Sequence, residues 1–241
     1  MDHFTKNNLL VDMHAHSSGI SHCCRISYKD VIHSALNTQI DGIILTNHYQ
    51  KSYVTDGDYY AFAVKYVEEF RLAKQYGDSV GCKVFFGIEV TMDKHDNAHL
   101  LIYGVDESFI LNNPTVFDLT QKELYTLVKS VGGVLIQAHP YRTTKNLLDV
   151  KFLDGVEVNC HPLYKKSDFL DMLEIAKNNG ILLTCGGDFH ADTYRPKCGA
   201  YLPNTITSGV DVGKYLATIN SIKLCIQEPY QNDWFDFLYK K

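Results

Sequence analysis

The chain lacks an apolar stretch of the roughly 18 residues that mark a membrane-spanning helix, and it shows no signal-peptide pattern. A soluble protein of the cytoplasm, without a membrane partner, is the expectation. It also lacks an excess of basic residues, since 23 Lys and Arg stand against 28 Asp and Glu for a formal charge of −5. Non-specific binding to nucleic acid needs a basic surface that displaces counterions, so a nucleic-acid polymer is not an expected partner. No CxxC spacing occurs among the seven cysteines, an odd number. Cys82, Cys160, Cys185 and Cys225 lie inside apolar runs, which suits reduced, buried thiols better than a disulfide framework. No GxGxxG follows an early strand, which disfavours a dinucleotide-binding enzyme. Low-complexity linkers, fixed-period repeats and shifts of composition are missing as well, so residues 1–241 read as one domain, long enough for a single α/β barrel.

What is present is a set of short apolar runs that end on cation-binding residues. NLLV leads into DMHAHSSGISH, which carries His14, His16 and His22. GIILTNH ends at His48, VFFGIE at Glu89, GGVLIQAH at His139, GVEVNCH at His161 and ILLTCGGDFH at Asp188 and His190. Near-continuous Val, Ile and Leu runs read as strands buried on both faces, the pattern of a parallel sheet covered by helices. Side chains two apart on a strand share a face, so His14 and His16 can converge on one cation. Ligands at the C-terminal ends of separate strands meet at one mouth. His99 opens its run, HLLIYG, so that strand is expected to leave the site rather than arrive. His95, in the intervening loop, reads as an exposed histidine. Cys23 and Cys24 lie within the histidine segment, where thiolate ligation is an alternative to His22.

Between these runs the pattern turns helical: from Ser27 to about Asn37, Asp58 to Tyr76, Thr120 to Ser130 with a capping box at Glu123, Ser167 to Asn179, and Asp211 to Ile222. Aromatic residues in the second stretch, Tyr59 to Phe70, read as packing. The C-terminal NDWFDFLYKK, within residues 229–241, is expected to cover a hydrophobic edge or to join a self-interface, so a homo-oligomer is a candidate partner.

DMHAHS, TNH, GIE, HLL, QAHP and GGDFH, in this order, resemble the polymerase and histidinol phosphatase (PHP) family of metal-dependent phosphoesterases over roughly residues 9 to 200. The resemblance implies a distorted (β/α)7 barrel, TIM-barrel-like, with two to three divalent ions at the strand C-termini. It implies His14, His16, Glu89 and Asp188 around one metal. Glu89, as a bridge, with His99 and His139 would hold a second, and His22, His48 and His190 a third. Glu89, Asp188 and His190 would be the catalytic groups. The family's usual TDH reads Thr46-Asn47-His48 here, an amide in place of a carboxylate, which bears on metal affinity if that position orients a ligand.

Histidine-rich ligation with some carboxylate favours zinc, manganese or iron over magnesium or calcium. Such a site stays cationic and suits a small phosphorylated substrate, with inorganic phosphate as product. A metal-bridging hydroxide formed near neutral pH is the expected nucleophile. Arg25, Arg142 and Arg195 follow ligands closely and are candidate phosphate forks, and His161 is a candidate substrate contact. A phosphomonoesterase is the favoured activity. A histidinol phosphatase, a small-nucleotide phosphodiesterase, a metal-dependent amidohydrolase and an inactive PHP-type binding module are the alternatives. An amidohydrolase would more often carry a bridging lysine, and no lysine ends an apolar run here.

Overall fold

The computed structural model describes residues 7–95, 97–142, 147–162, 166–191, 195–228 and 231–241. The apolar runs all become strands. β1 (Asn8–Ala15), β2 (Gly42–Leu45), β3 (His48–Tyr49), β4 (Lys83–Phe86), β5 (Ile88–Met92), β6 (Ala98–Tyr103), β7 (Val134–Gln137), β8 (Gly155–Asn159) and β9 (Leu182–Gly186) are interspersed with helices, and β10 (Gly199–Pro203), β11 (Ser221–Gln227) and β12 (Trp234–Lys240) follow. The helices are α1 (Tyr28–Asn37), α2 (Tyr59–Val80), α3 (Ser108–Asn112), α4 (Gln121–Ser130), α5 (Lys166–Asn179) and α6 (Gly209–Thr218).

The helix starts follow their caps. Ser27 and Asp30 close a reciprocal capping box on α1, Thr120 and Glu123 close another on α4, and Asp58 and Ser208 cap α2 and α6 through their side chains. His95 is half-buried rather than exposed, because its Nε2 accepts a hydrogen bond from the Gln121 N–H at the start of α4, at 3.0 Å. The helix expected over Asp211 to Ile222 is α6, which begins at Gly209 and stops at Thr218. Ser221 and Ile222 belong to β11 instead, where strand pairing overrides the apolar periodicity.

The strands form two six-stranded sheets, ordered β12-β11-β10-β1-β2-β4 and β3-β5-β6-β7-β8-β9. This is a mixed α/β fold. β1, β2 and β4 run parallel, as do β7, β8 and β9, while β6 is antiparallel to both neighbours. That reversal is the departure from the site expected of the strand opened by His99. The sheets are linked where β1 meets the chain leaving β9, by an isolated parallel bridge between Ala15 and Phe189 and by the bond from Asp188 N–H to His14 O. Met13, Ile44, Phe85, Leu101, Ile136 and Val156, drawn from both sheets, share one buried cluster, and α1 and α2 pack on the other.

The tail forms the edge strand of the first sheet. β12 pairs along its length with β11, and the buried Tyr239 hydroxyl donates to Ile181 O at 2.6 Å. Positions 229–230 lie outside the described residues. Among the described residues, no helix is long and apolar enough to cross a membrane.

Candidate metal centre

His14 stands on β1, His16 just past it, His48 on β3, Glu89 on β5 and His99 on β6, while His139, Asp188 and His190 follow β7 and β9. β3 and β5 set His48 opposite Glu89, and β5 and β6 set His99 opposite Thr91, two residues beyond Glu89 on the same face. These elements bring the side chains of His14, His16, His48, Glu89, His99, Asp188 and His190 into overlapping groups.

At the centre, His14 Nε2 and His16 Nε2 lie 2.9 Å apart. From His14 Nε2 it is 3.4 Å to Glu89 Oε2 and 3.4 Å to Asp188 Oδ1, and from His16 Nε2 the same atoms are 3.3 and 3.1 Å away. Tetrahedral ligands at about 2.1 Å from a zinc-like ion stand about 3.4 Å from one another, so these four atoms are spaced as one coordination shell. Glu89 Oε2 and Asp188 Oδ1 are buried without a hydrogen-bond partner. A proton shared by the two imidazoles would satisfy that pair and leave both carboxylate oxygens orphaned, whereas a cation satisfies all four. The residues present fit a metal ion.

The tautomers agree with this. His14 Nδ1 meets Glu157 Oε1 at 2.9 Å, and a carboxylate can only accept, so His14 carries its proton there and turns Nε2 inward. His16 Nδ1 meets Ser21 Oγ at 3.1 Å. The Ser21 hydroxyl donates to Asn47 Oδ1 at 2.9 Å, so it accepts from His16 and frees His16 Nε2 as well. Asn47 thus acts through the His16 support rather than on a metal. Its Oδ1 also accepts Ser17 N–H at 2.7 Å, and its Nδ2 donates to Ser17 Oγ at 3.0 Å, so the amide takes both roles and a carboxylate could not donate that last bond.

Glu89 is shared. Its Oε1 lies 2.9 Å from His99 Nδ1 and 3.0 Å from His139 Nε2, and its Oε2 lies 2.7 Å from His48 Nδ1. Donor atoms of His48, Glu89 and His99 cluster within 4.8 Å of one another, and so do those of His16, His48 and His190. His22 stands apart from these groups: it is exposed, and its ring stacks on Tyr53 with centroids 3.9 Å apart.

The charges are mutually adjusted. Burial raises the cost of ionising Glu89 and Asp188, yet the surrounding imidazoles outweigh it and hold both well below the ordinary carboxylate range. Burial likewise opposes a charged His14, and Glu157, Glu89 and Asp188 overcome it, holding His14 well above its ordinary value. His16, by contrast, is pushed well below by burial and by His190 and His48. The carboxylates thus create a negative potential that favours positive charge at the point the imidazoles face. Burial pushes the Cys23 thiol up, but hydrogen bonds from His190 and His48 prevail and hold it at about 5. Asp188 (φ 49°) and His139 (φ 28°) adopt left-handed backbone, a strain of order 1–3 kcal/mol each that tends to gather where function needs it.

The arginines separate. Arg142 Nη1 bonds Asp188 Oδ2, so its guanidinium is already at the centre. Arg195 is bound to the buried Asp12 at 2.7 Å and lies over Phe189, and Asp12 in turn accepts from His14 N and Gly187 N. That guanidinium supports the β1 and β9 loops instead of facing a substrate. Arg25 is exposed and donates its backbone N–H to His190 O. His161 is half-buried, and burial, with the charges of Arg142, His190 and His139, lowers its pKa against the opposing pull of Asp188. Glu157 was missed in the sequence, although it lies in the apolar run GVEVN: a lone acid in a fully buried strand was the available signal.

Neither a family model nor a curated relative matches the sequence. Solved structures share the fold at low identity. A two-domain protein from Bacteroides vulgatus, described as containing a predicted PHP-like metal-dependent phosphoesterase, superposes with TM-score 0.65 at 15% identity, over 91% of this chain and 65% of that one. The chain thus spans somewhat under two thirds of that protein. PsfC from Pseudomonas syringae aligns with TM-score 0.64 at 15% identity over 88% of each chain. An amidohydrolase from Chromobacterium violaceum, solved with sulfate and no metal, aligns with TM-score 0.59 at 14% identity over 85% of this chain and 96% of that one.

Proposed function

We propose that the chain is a metal-dependent phosphoesterase that hydrolyses small phosphate monoesters. The observation that carries this reading is the pair of imidazole nitrogens 2.9 Å apart beside two buried, unpartnered carboxylate oxygens. His14, His16, Glu89 and Asp188 would hold one ion, and Glu89 with His99, His139 and His48 a second. Bound divalent ions would supply a water activated near neutral pH and neutralise charge on phosphoryl oxygens. The chain's own groups do the rest. Glu157 and Ser21 hold His14 and His16 in the tautomers that face inward, and the burial of Glu89 excludes water from the centre. Arg142, now bonded to Asp188, is placed to present its fork to a phosphate at the mouth, with His161 beside it. The same reading takes residues 1–241 as one cytoplasmic domain whose two sheets curve into the distorted seven-stranded barrel.

The deciding experiment is metal content by plasma mass spectrometry with p-nitrophenyl phosphate hydrolysis before and after chelation. Two or more equivalents of zinc, manganese or iron with chelator-sensitive hydrolysis is the expected result. Metal-free protein that stays inactive after repletion would overturn the reading. Turnover of cyclic amides without phosphatase activity would favour the amidohydrolase alternative.

A further inference from the structure

Beyond His16 the turn after β1 continues Ser17-Ser18-Gly19. Ser17 is fully buried, and its hydroxyl donates to Glu69 Oε1 on α2 at 2.7 Å. Gly19 makes room for that carboxylate, because a Cβ there would lie 2.1 Å from Glu69 Oε2. One turn earlier on the same face of α2, the buried Tyr66 hydroxyl lies 2.7 Å from Asn47 O and 3.0 Å from Gly87 O, both of which can accept its proton. α2 thus reaches the Asn47 backbone through Tyr66 and the Asn47 side chain through Glu69 and Ser17.

The bonds along this path run in one direction. A carboxylate only accepts, so Ser17 gives its hydroxyl proton to Glu69, and its oxygen accepts from Asn47 Nδ2 at 3.0 Å. The Ser17 N–H fixes the other end of the amide at 2.7 Å, so Asn47 Oδ1 also accepts from the Ser21 hydroxyl at 2.9 Å. Ser21 Oγ in turn accepts from His48 N–H at 3.0 Å and from His16 Nδ1 at 3.1 Å. His16, Ser21, Asn47 and Ser17 are buried, while Glu69 stands half-buried at the outer end. Hydrogen bonds in series polarise one another, and an anion that ends the series strengthens it. An aspartate at position 47 could accept from Ser21 but could not donate to Ser17, so the amide is what lets the series continue to α2.

We infer that Glu69 is a positioning residue for His16, its negative charge reaching the imidazole through Ser17, Asn47 and Ser21. The inference rests on the reading of the cluster as a metal centre. When His16 Nε2 faces a cation, its Nδ1–H becomes a stronger donor, and negative charge at the far end of the series favours that state. Glu69 itself touches neither the donor atoms nor the mouth of the site.

Zinc affinity of the full chain, read by competition with a chromogenic chelator, tests this. Glu69→Gln keeps the shape and removes the charge, and it should weaken zinc binding about tenfold, the lower end of the loss usual for groups that orient a metal ligand. Glu68→Gln removes the same charge from the exposed neighbouring position and should change nothing. Ser17→Ala should weaken binding as well, and adding Glu69→Gln to it should cost nothing further, because residues of one hydrogen-bond series are not additive. Adding Asn47→Asp to Glu69→Gln returns a carboxylate to the series and should restore most of the lost affinity. Unchanged affinity in Glu69→Gln, an equal loss in Glu68→Gln, additive losses with Ser17→Ala, or no recovery with Asn47→Asp each overturns the inference while leaving the metal centre standing. A wild-type chain that binds no zinc overturns both together.

Discussion

At the scale of single residues, Glu157 organises more of the centre than its place outside the donor atoms suggests. It is buried, accepts from His14 Nδ1, and also accepts from His139 N–H at 3.1 Å and Asn159 Nδ2 at 2.9 Å, so one carboxylate fixes residues from three strands. Gly186 makes this approach possible, because a Cβ there would lie 2.4 Å from His14 Cβ and 2.6 Å from Glu157 Oε1. Glu157→Gln can turn an N–H toward His14 and favour the wrong tautomer. Metal affinity should fall about 10–100-fold, read by competitive titration with a chromogenic chelator. An unchanged affinity would remove Glu157 from this role. Arg142→Ala should raise KM for a phosphate ester and leave the metal count intact, while Arg195→Ala, which strips the partner from buried Asp12, should lower stability instead. Steady-state kinetics beside a thermal melt separates the two.

At the scale of elements, the strands and most helices were legible because each apolar run has a length and cap that suit one structure alone. Most of the side chains that gather at the centre stand where those runs stop, while His99 opens its run. Pairing was less legible. Apart from the strand opened by His99, the sequence reads as parallel, yet β10 pairs antiparallel with β1, β11 with β10 and β12 with β11. Nor could spacing show that His22 stands exposed against Tyr53, away from the donor clusters, because only tertiary contacts fix how that turn is rotated.

The helix caps give a pH prediction. Thr120 holds Glu123 below its ordinary value of 4.5 through backbone and side-chain hydrogen bonds. A carboxylate whose folded value is depressed stabilises the fold above its unfolded value and loses that contribution as pH falls through the folded one. Glu123→Gln should therefore lower Tm relative to wild type at neutral pH, with the gap closing as the solution is taken below about pH 4. The group is exposed, so the gap should be small and should shrink in salt. A gap that widens in acid would contradict the assignment.

At the scale of the whole molecule, the donor atoms come from both sheets. β1 supplies His14 from one, while β3, β5 and β6 supply His48, Glu89 and His99 from the other, with Asp188 on the chain leaving β9. Binding that occurs only in the folded state stabilises it by mass action, so removal of metal should lower Tm, and restoring zinc or manganese should recover it in proportion to the logarithm of free metal. A calorimetric melt across a metal titration checks this.

One sheet gives way to the other where β2 passes into β3 and β4 into β5, and it is there that the buried carboxylate of Glu89 gathers imidazoles from each side. An ion in that place behaves as a rivet through a seam. Pulling it should let the seam part before either sheet frays, so amide exchange in the chelated protein should quicken first at Asp188, whose N–H crosses to His14 O. Exchange within β8 and β9 should lag behind, and the order in which deuterium enters would show the metal as a fastener of the architecture as well as its chemistry.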